Sequence, residues 1–292
     1  SLALVALSKA YDYEIKTNFY YVLVNHNIRA ESYKESKRVK RILRKKKINL
    51  KILENKAKFE KNIQGNARKA RYSLLEDFCK KKKIKIILTA HNLEDQVETF
   101  FIRLSRGSGL TGLSSMKPLT SLNKTVKIYR PLLDINKKNL VKISNIIFGE
   151  YIEDPSNNNI NFLRTKIRNL RKYLEKSGIN YTQITKSINN LASSRDTLDQ
   201  FLFEIFKDTI KKTYKEVLID LKKFERYNNE IKIRIINKSI NMLLGNYYSP
   251  RSKKVLNLIR NFDNKRFKSS TLAGCIFVKK NNQICLKKEK KL

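Results

Sequence analysis

The stretch "KIKIILTAHNLEDQVETFF", residues 83–101, joins a run of β-branched and apolar residues to a run with helical periodicity. Its first part, which ends at His91, has the length and composition of a buried strand. From Asn92 onward, a favourable helix N-cap, apolar residues recur on one face of a helix. These residues are Leu93, Val97, Phe100, Phe101 and Leu104. The stretch therefore predicts a strand that leads directly into a helix, with a histidine at the junction.

The preceding segments repeat this alternation of strand and helix. The runs "NFYYVLVNH" (18–26) and "INLKILEN" (48–55) predict further strands. Helices are predicted for "SLALVALSKAYDY" at the start of the sequence, for "ESYKESKRVKRILRKKK" and for "NIQGNARKARYSLLEDFCKKKK". Strands that alternate with helices form parallel sheets with crossover helices. We therefore predict an α/β fold with an open parallel sheet, and we expect a first strand to precede Ser1.

The remainder of the chain predicts a connector and a second domain. The region after residue 110 contains three of the four prolines, which predict turns. These turns separate a short strand, "VKIYRPL" (126–132), from two helices, the first of which begins near Asn136. Gly178 marks a break, and a long amphipathic helix is predicted for about 182–215. The rest predicts a strand, two helices and a hairpin around "KKNNQ". The expected organisation is a catalytic domain over 1–178, a helical linker over 179–215 and a small α/β domain over 216–292.

The charge balance indicates a polyanionic partner. Lysine and arginine number 64 against 26 acidic residues, and the formal net charge is +38. Such an excess is most simply explained by binding to nucleic acid. An A/T-rich genome also favours the codons of lysine, asparagine and isoleucine, and part of the charge then reflects codon usage.

Cysteine content and hydropathy exclude other classes. Cys79, Cys275 and Cys285 include no C-x-x-C pair, so the usual zinc and redox motifs are absent. No apolar run reaches the roughly 18 residues of a membrane span, and the apolar start has no basic leader. We therefore expect a cytoplasmic protein that does not enter membranes.

The two histidines and an acidic cluster predict a ligand site. His26 and His91 each end a predicted strand, at the edge where open α/β sheets bind ligands. Glu94 and Asp95 fall in the first turn of the following helix, where its dipole favours carboxylates. Glu98 lies one turn later, and its repulsion with them would be relieved by a cation such as Mg²⁺. Helix capping alone is the alternative explanation of the acidic cluster.

Several motifs in this order resemble one enzyme family. The block "AHNLEDQVETFFIRLSRGSGLTGL" (90–113) is similar to "AHHxDDQxETxxxRLxRGSGxxGL" of the tRNA(Ile)-lysidine synthetases, in the ATP-pyrophosphatase (PP-loop) superfamily. Further similar blocks are "VNHNIR", "QGNARKARYSLL", "RPLLDINKKNL" and "IEDPSNNNINFLRTKIRN", and in the last domain "YSPRSKKVLNLI" and "STLAGC". The resemblance covers nearly the whole chain. It implies a nucleotide-binding domain of the adenine nucleotide α-hydrolase type, which uses ATP and Mg²⁺ to attach free lysine to the CAU anticodon of tRNA(Ile).

The resemblance also implies roles for individual residues. The expected catalytic residues are His91, Asp95, Glu98 and Arg71. The expected ATP contacts are Ser1, His26, Arg29, His91 and Asp95, and the expected magnesium ligands are Asp95, Glu94 and Glu98. The expected RNA contacts are Arg68, Arg103, Arg106, Asp154, Asn157, Arg164 and Arg168. For Arg68 and Arg71 a solvated basic helix is the alternative explanation, and for the block with Asp154, Asn157, Arg164 and Arg168 it is ordinary turn chemistry in "EDPSN".

The sequence departs from the family pattern in its phosphate-binding segment. The family motif SGGxDS is represented only by Ser1, in the position of its last serine, and Asn25 and Asn27 replace the Asp and Gly of "VDHG". Because the backbone amides of that loop cradle the pyrophosphate, the sequence as given is expected to bind ATP poorly. Two other functions stay open, a tRNA-thiolating enzyme and a non-catalytic RNA-binding remnant. Monomer and homodimer are equally compatible with the sequence.

Overall fold

The first unit of the structure alternates helices and strands as the sequence predicts. The computed structural model describes residues 1–27, 31–57, 63–152, 163–245, 250–264 and 267–289. Two compact units comprise Ser1–Ser193 and Ser194–Leu292. The described elements of the first unit begin with α1 (Leu2–Ile15), β1 (Tyr21–Asn25), α2 (Ser32–Lys45), β2 (Leu50–Glu54), α3 (Ile63–Lys82), β3 (Ile86–Leu88) and α4 (Leu93–Leu104). They continue with α5 (Leu110–Leu113), β4 (Leu119–Ser121), β5 (Lys127–Tyr129), α6 (Lys137–Phe148) and α7 (Leu163–Lys176).

The strands of the first unit pair mainly in parallel. β1 pairs with β2, with Tyr21 opposite Leu50, and β3 pairs with β5, with Ile86 opposite Lys127. Both pairs are parallel, so the predicted α/β class with a parallel sheet is confirmed. β4, which was not predicted, lies antiparallel to β5 at the edge of its sheet.

Apolar faces of the helices bury the cores that hold these strands. Leu43 of α2 is buried against Leu2, Ile48 and Leu50. Val97 of α4 is fully buried, in a cluster with Tyr181, Ile184 and Ile188 and the partly buried Leu93, Phe100 and Phe101. Burial of a side chain of this size stabilises the fold by about 1.5–3 kcal/mol. Leu104, which was assigned to the same stripe, is largely exposed because it lies in the last turn of α4.

The second unit is a helix-covered antiparallel sheet. Its elements are the second part of α8 (Tyr181–Thr209), β6 (Ile210–Lys212), β7 (Val217–Asp220), α9 (Leu221–Glu225), α10 (Asn229–Leu244), α11 (Ser252–Phe262), β8 (Ser269–Leu272), β9 (Cys275–Lys280) and β10 (Gln283–Lys288). The strand order is β6-β7-β10-β9-β8, and β9 and β10 form the predicted hairpin. The long helix predicted to reach residue 215 ends at Thr209, because Ile210–Lys212 pair with β7 instead. None of the helices in the described segments is long and apolar enough to cross a membrane.

Candidate active site

The site lies at the carboxyl ends of the parallel strands. His26 follows β1 and His91 follows β3 by three residues. Asn92 caps α4, because its side-chain oxygen accepts a hydrogen bond from the Asp95 backbone N–H at 3.0 Å. Asp95 Oδ2 accepts one from the Asn92 N–H at 3.1 Å, which completes a capping box. The predicted cap is confirmed, and a cap of this kind contributes about 1 kcal/mol.

His91 is held in its neutral form. Burial lowers its pKa to about 4; Asp95 opposes the shift, while three arginines contribute to it. Those arginines are Arg130, Arg68 and Arg164. Thr89 Oγ1 lies 2.9 Å from His91 Nδ1 and orients the ring. At neutral pH the site therefore presents an uncharged imidazole among several guanidinium groups, able to accept or donate a hydrogen bond.

His26 is linked to helix α3. Arg71 Nε donates a hydrogen bond to His26 Nε2 at 3.2 Å, so the ring proton of the neutral tautomer lies on Nδ1. Burial and the neighbouring Arg71 both lower the pKa of His26. His26 Nδ1 is buried and has no hydrogen-bond partner among the described residues. The arrangement leaves a donor available to an acceptor such as a phosphate oxygen.

The acidic cluster contacts arginines of helix α7. Arg168 Nε donates a 2.8 Å hydrogen bond to Oε1 of Glu98, whose side chain is 2% exposed. Arg164 Nε lies 3.4 Å from the second oxygen of Glu98, and Arg164 Nη1 lies 3.9 Å from Asp95 Oδ1. Burial raises the pKa of Glu98, and the hydrogen bond from Arg168 opposes this shift. The repulsion from which we inferred a cation is thus relieved by arginines.

Glu94 is also engaged within the fold. Its Oε2 accepts a hydrogen bond from the Lys137 backbone N–H at 2.8 Å, at the start of α6, and its Oε1 lies 3.6 Å from Arg171 Nη1. Within the described ranges, no group of three or more His, Cys, Asp or Glu side chains is arranged to hold a metal ion. The predicted magnesium site on Asp95, Glu94 and Glu98 therefore does not fit this arrangement, because all three carboxylates have arginine or backbone partners.

The other predicted residues fall into three groups. Arg68 is exposed and its guanidinium lies 5.0 Å from the Tyr72 ring, and Arg106 is exposed after α4. Arg103 instead donates hydrogen bonds to the carbonyl oxygens of Gly112 and Ser115, both at 2.8 Å, which ties the segment after α4 to the helix. The remaining predicted residues, Arg29, Asp154 and Asn157, lie outside the described residues.

Ser1 and Lys137 lie near Asp95, and Arg130 lies near His91. Ser1, Asp95 and Lys137 lie close enough together to interact electrostatically. Arg130, which sequence reasoning did not single out, is 6% exposed and donates to Lys117 O at 2.8 Å. It opens the quoted "RPLL" motif, and an arginine retained in a lysine-rich chain was the available signal.

A neutral histidine, a carboxylate and several arginines lie at the carboxyl ends of the parallel strands, and guanidinium groups are strong hydrogen-bond donors to phosphate oxygens. A sequence profile of the PP-loop domain matches residues 1–173, and the chain belongs to this family of ATP-binding domains. It is 32% identical over 270 residues to the tRNA(Ile)-lysidine synthase of Wolbachia pipientis wMel. The matched region covers 91% of this chain and 62% of that protein. The synthase of Rickettsia typhi is 31% identical over 99% of this chain and 67% of that protein.

The chain thus spans about three fifths of the length of the first of these curated relatives. Among solved structures, a U34-tRNA thiolase from Methanococcus maripaludis with a [4Fe-4S] cluster is similar, with a TM-score of 0.54 and 18% identity. The similarity covers 65% of this chain and 67% of the thiolase chain. At that identity it supports the predicted nucleotide-binding fold and carries no argument about the reaction.

Proposed function

We propose that this chain is the catalytic portion of a cytoplasmic tRNA(Ile)-lysidine synthase. The enzyme would join free lysine to carbon 2 of the wobble cytidine in tRNA(Ile) with a CAU anticodon. The single observation that supports it best is the convergence of neutral His91, Asp95 and Arg164 at the strand edge of a PP-loop domain. The names of the curated relatives point to the same reaction.

The proposed reaction has two steps. The carbonyl oxygen on carbon 2 of the cytosine attacks the α-phosphorus of ATP, and the bond to pyrophosphate breaks. The lysine ε-nitrogen then attacks carbon 2, the carbon–oxygen bond to AMP breaks, and the amine loses a proton. Both leaving groups are phosphate anions, so fixed guanidinium groups stabilise the charge that develops on them.

We assign the chain's own residues to these steps. His26, whose Nδ1 donor has no partner in the described part of the chain, and Arg71 bind phosphate oxygens. Asp95 and Ser1 lie together on the ATP side of the site, and Arg29 is assigned there by its motif. His91, uncharged above about pH 4, contacts ATP or orients the activated cytosine through a hydrogen bond. Magnesium enters as the counter-ion of ATP.

The RNA is assigned to arginines around the site that are exposed or, for Arg168, partly exposed. Arg68, Arg106, Arg164 and Arg168 are suited to phosphate contacts, and the segment with Asp154 and Asn157 is assigned to the same substrate by its motif. Glu98 holds two of these arginines in place and is a positioning residue. Arg103 supports the loop that carries Arg106.

Thiolation is the alternative reaction, and the cysteines disfavour it. A thiolating enzyme needs an accessible thiolate, whereas Cys79, Cys275 and Cys285 are all buried. Burial raises the pKa of each of these thiols, which keeps them protonated and unreactive. A non-catalytic RNA-binding remnant is the other alternative, and it predicts RNA binding without turnover.

Lysine incorporation tests the proposal. The complete protein that contains this chain is incubated with ATP, Mg²⁺, labelled lysine and CAU-anticodon tRNA(Ile). We expect label in this tRNA and none in the initiator methionine tRNA, which has the same anticodon. Absence of label in tRNA(Ile), or equal label in both tRNAs, would contradict the proposal.

Two substitutions separate catalysis from helix capping. Asp95→Asn keeps an oxygen that accepts from the Asn92 N–H but removes the charge, so we expect loss of pyrophosphate release with tRNA binding and melting temperature nearly unchanged. Asn92→Ala is the matched control, and removing this cap should cost about 1 kcal/mol of stability while pyrophosphate release persists. If Asp95→Asn only lowers the melting temperature, its role is capping.

A further inference from the structure

The edge of the first unit opposite the candidate active site is strongly basic. Three segments reach this edge, where strands begin, and they cover residues 44–52, 80–86 and 123–127. Their basic side chains are all exposed and are Arg44, Lys45, Lys46, Lys47, Lys51, Lys80, Lys81, Lys82, Lys83, Lys85, Lys124 and Lys127. No acidic residue occurs in these segments. We call this set of side chains the basic edge.

Ring contacts join the first two segments into one surface. Tyr20, immediately before β1, is 53% exposed and packs edge-on against Phe78 of α3, with ring centroids 6.1 Å apart. Lys82 Nζ lies 5.8 Å from the centre of the Tyr20 ring, and Lys51 Nζ lies 5.7 Å from that of Phe78. The end of α3 and the start of β2 therefore meet around these two aromatic rings.

The sheet joins the second and third segments. The Lys127 backbone N–H donates to the Lys85 carbonyl at 2.8 Å, at the start of the β3–β5 pair. The basic side chains before β3 and β5 are therefore neighbours. The basic edge is continuous across the amino ends of β1, β2, β3 and β5.

The basic edge is separate from the candidate active site. α3 runs antiparallel to β1, because Phe78 near its end contacts Tyr20, while Arg71 nearer its start bonds to His26 after the strand. Tyr20 and His26 are six residues apart, so the two edges are separated by about 20 Å of extended chain. An anion bound at His26 or His91 does not use the lysines of the basic edge.

Composition and helix dipoles account for only part of this charge. At the chain-wide ratio of 26 acidic to 64 basic residues, so many basic side chains would be accompanied by about five acidic ones. Lysines in the last turn of α3 are favoured by its dipole. That reason does not apply to Lys51, Lys124 and Lys127, which lie on strands and a turn. The clustering of like charges costs energy unless an anion neutralises them.

We propose that the basic edge binds the phosphate backbone of double-helical RNA without reading its sequence. Lysine is a flexible point charge, suited to backbone phosphates rather than to planar base edges. Neutralising the phosphates releases counter-ions, which makes the binding strongly dependent on salt. The surface would hold RNA stems on the enzyme independently of the anticodon, and it goes beyond the proposed reaction.

A four-lysine variant of the 292-residue chain tests this inference. The edge variant carries Lys46→Gln, Lys81→Gln, Lys85→Gln and Lys124→Gln, all exposed positions. The control variant has the same net charge and carries Lys138→Gln, Lys142→Gln, Lys186→Gln and Lys211→Gln, also exposed. The probe is an RNA duplex of about 16 base pairs with no CAU loop, a length that RNA-binding modules span.

Affinity is measured by fluorescence anisotropy across a salt series. We expect the edge variant to bind the duplex at least about tenfold more weakly at low salt, with a salt slope reduced by about one for each lysine removed. The control variant should behave like the unmodified chain. Unchanged duplex binding, an equal loss in both variants, or binding of anionic phospholipid vesicles in preference to the duplex would overturn the inference. Because the probe is not a lysidine substrate, the result is independent of the proposed reaction.

Discussion

Removing Arg168 from its ion pair with Glu98 should destabilise the protein more than removing the charge of Glu98. The Glu98 side chain is 2% exposed, whereas that of Arg168 is 34% exposed. In Arg168→Leu the carboxylate loses its 2.8 Å donor and cannot reach water, and only Arg164 at 3.4 Å stays near it. Removing one partner of a buried pair costs 3–5 kcal/mol, so with Arg164 still present we expect a loss of about 3 kcal/mol. In Glu98→Gln the guanidinium can be solvated, and the loss should be about 1 kcal/mol.

The loss of stability in Arg168→Leu should depend on pH. Burial already raises the pKa of Glu98 in the folded state above its ordinary value. Without Arg168 this pKa rises further, so the folded protein binds a proton more readily than the unfolded chain. The destabilisation of Arg168→Leu is therefore largest at neutral pH and decreases as the pH falls and Glu98 becomes protonated. No such trend is expected for Glu98→Gln.

The assay is urea unfolding of the three proteins at several pH values between 5 and 8. Lys166→Leu, an exposed position on the same helix, is the matched control and should change stability by less than about 0.5 kcal/mol. For a unit of this size, a loss of about 3 kcal/mol corresponds to a melting temperature lower by about 6–12 °C. Equal losses in Arg168→Leu and Glu98→Gln, or a loss independent of pH, would refute the reasoning.

Two further predictions concern single residues of the site. The pKa of His91 in the folded protein is about 4, against an ordinary 6.5, so the unfolded chain binds a proton more readily than the folded protein. The fold therefore loses about 3 kcal/mol of stability as the pH falls from about 6.5 to 4. In urea unfolding at pH 7 and 4.5, His91→Gln should lack this component of the acid sensitivity, and parallel pH profiles of the two proteins would contradict it. Arg103→Ala removes one donor from the Gly112 carbonyl, which keeps the Ser115 N–H, and the side-chain donor of the Ser115 carbonyl. We therefore expect a loss of about 2 kcal/mol and faster amide exchange in residues 107–115, with RNA affinity unchanged. Weaker RNA binding at unchanged stability would instead support the contact predicted from the sequence.

Local patterns predicted most of the secondary structure correctly. The segments that became α2, α3 and α4 have apolar residues at helical spacing, and those that became β1 and β2 are short β-branched runs. The wrong predictions concern segments whose structure depends on pairing with another part of the chain. Residues 210–212 continue a helical pattern but form β6, because β7 offers them backbone hydrogen bonds. β4 likewise depends on its antiparallel pairing with β5.

The site was predictable to the same extent. His26, His91 and the Asn92 cap are local features of strand ends and a helix start, and the structure has them where the sequence predicts. The partners of the carboxylates were not predictable. Helix spacing shows that Glu94, Asp95 and Glu98 share a face, but it does not show what packs against that face.

By itself the sequence determined the class of fold, the strand edge at which the histidines lie and the positive charge, because each depends on residue type and short-range spacing. Only the tertiary structure decided that the three carboxylates contact arginines of α7, and that His91 is uncharged. The physical reason is that ion pairs and desolvation depend on which side chains meet across elements distant in the chain. Arg168 and Glu98 are 70 residues apart, and no pattern along the sequence relates them.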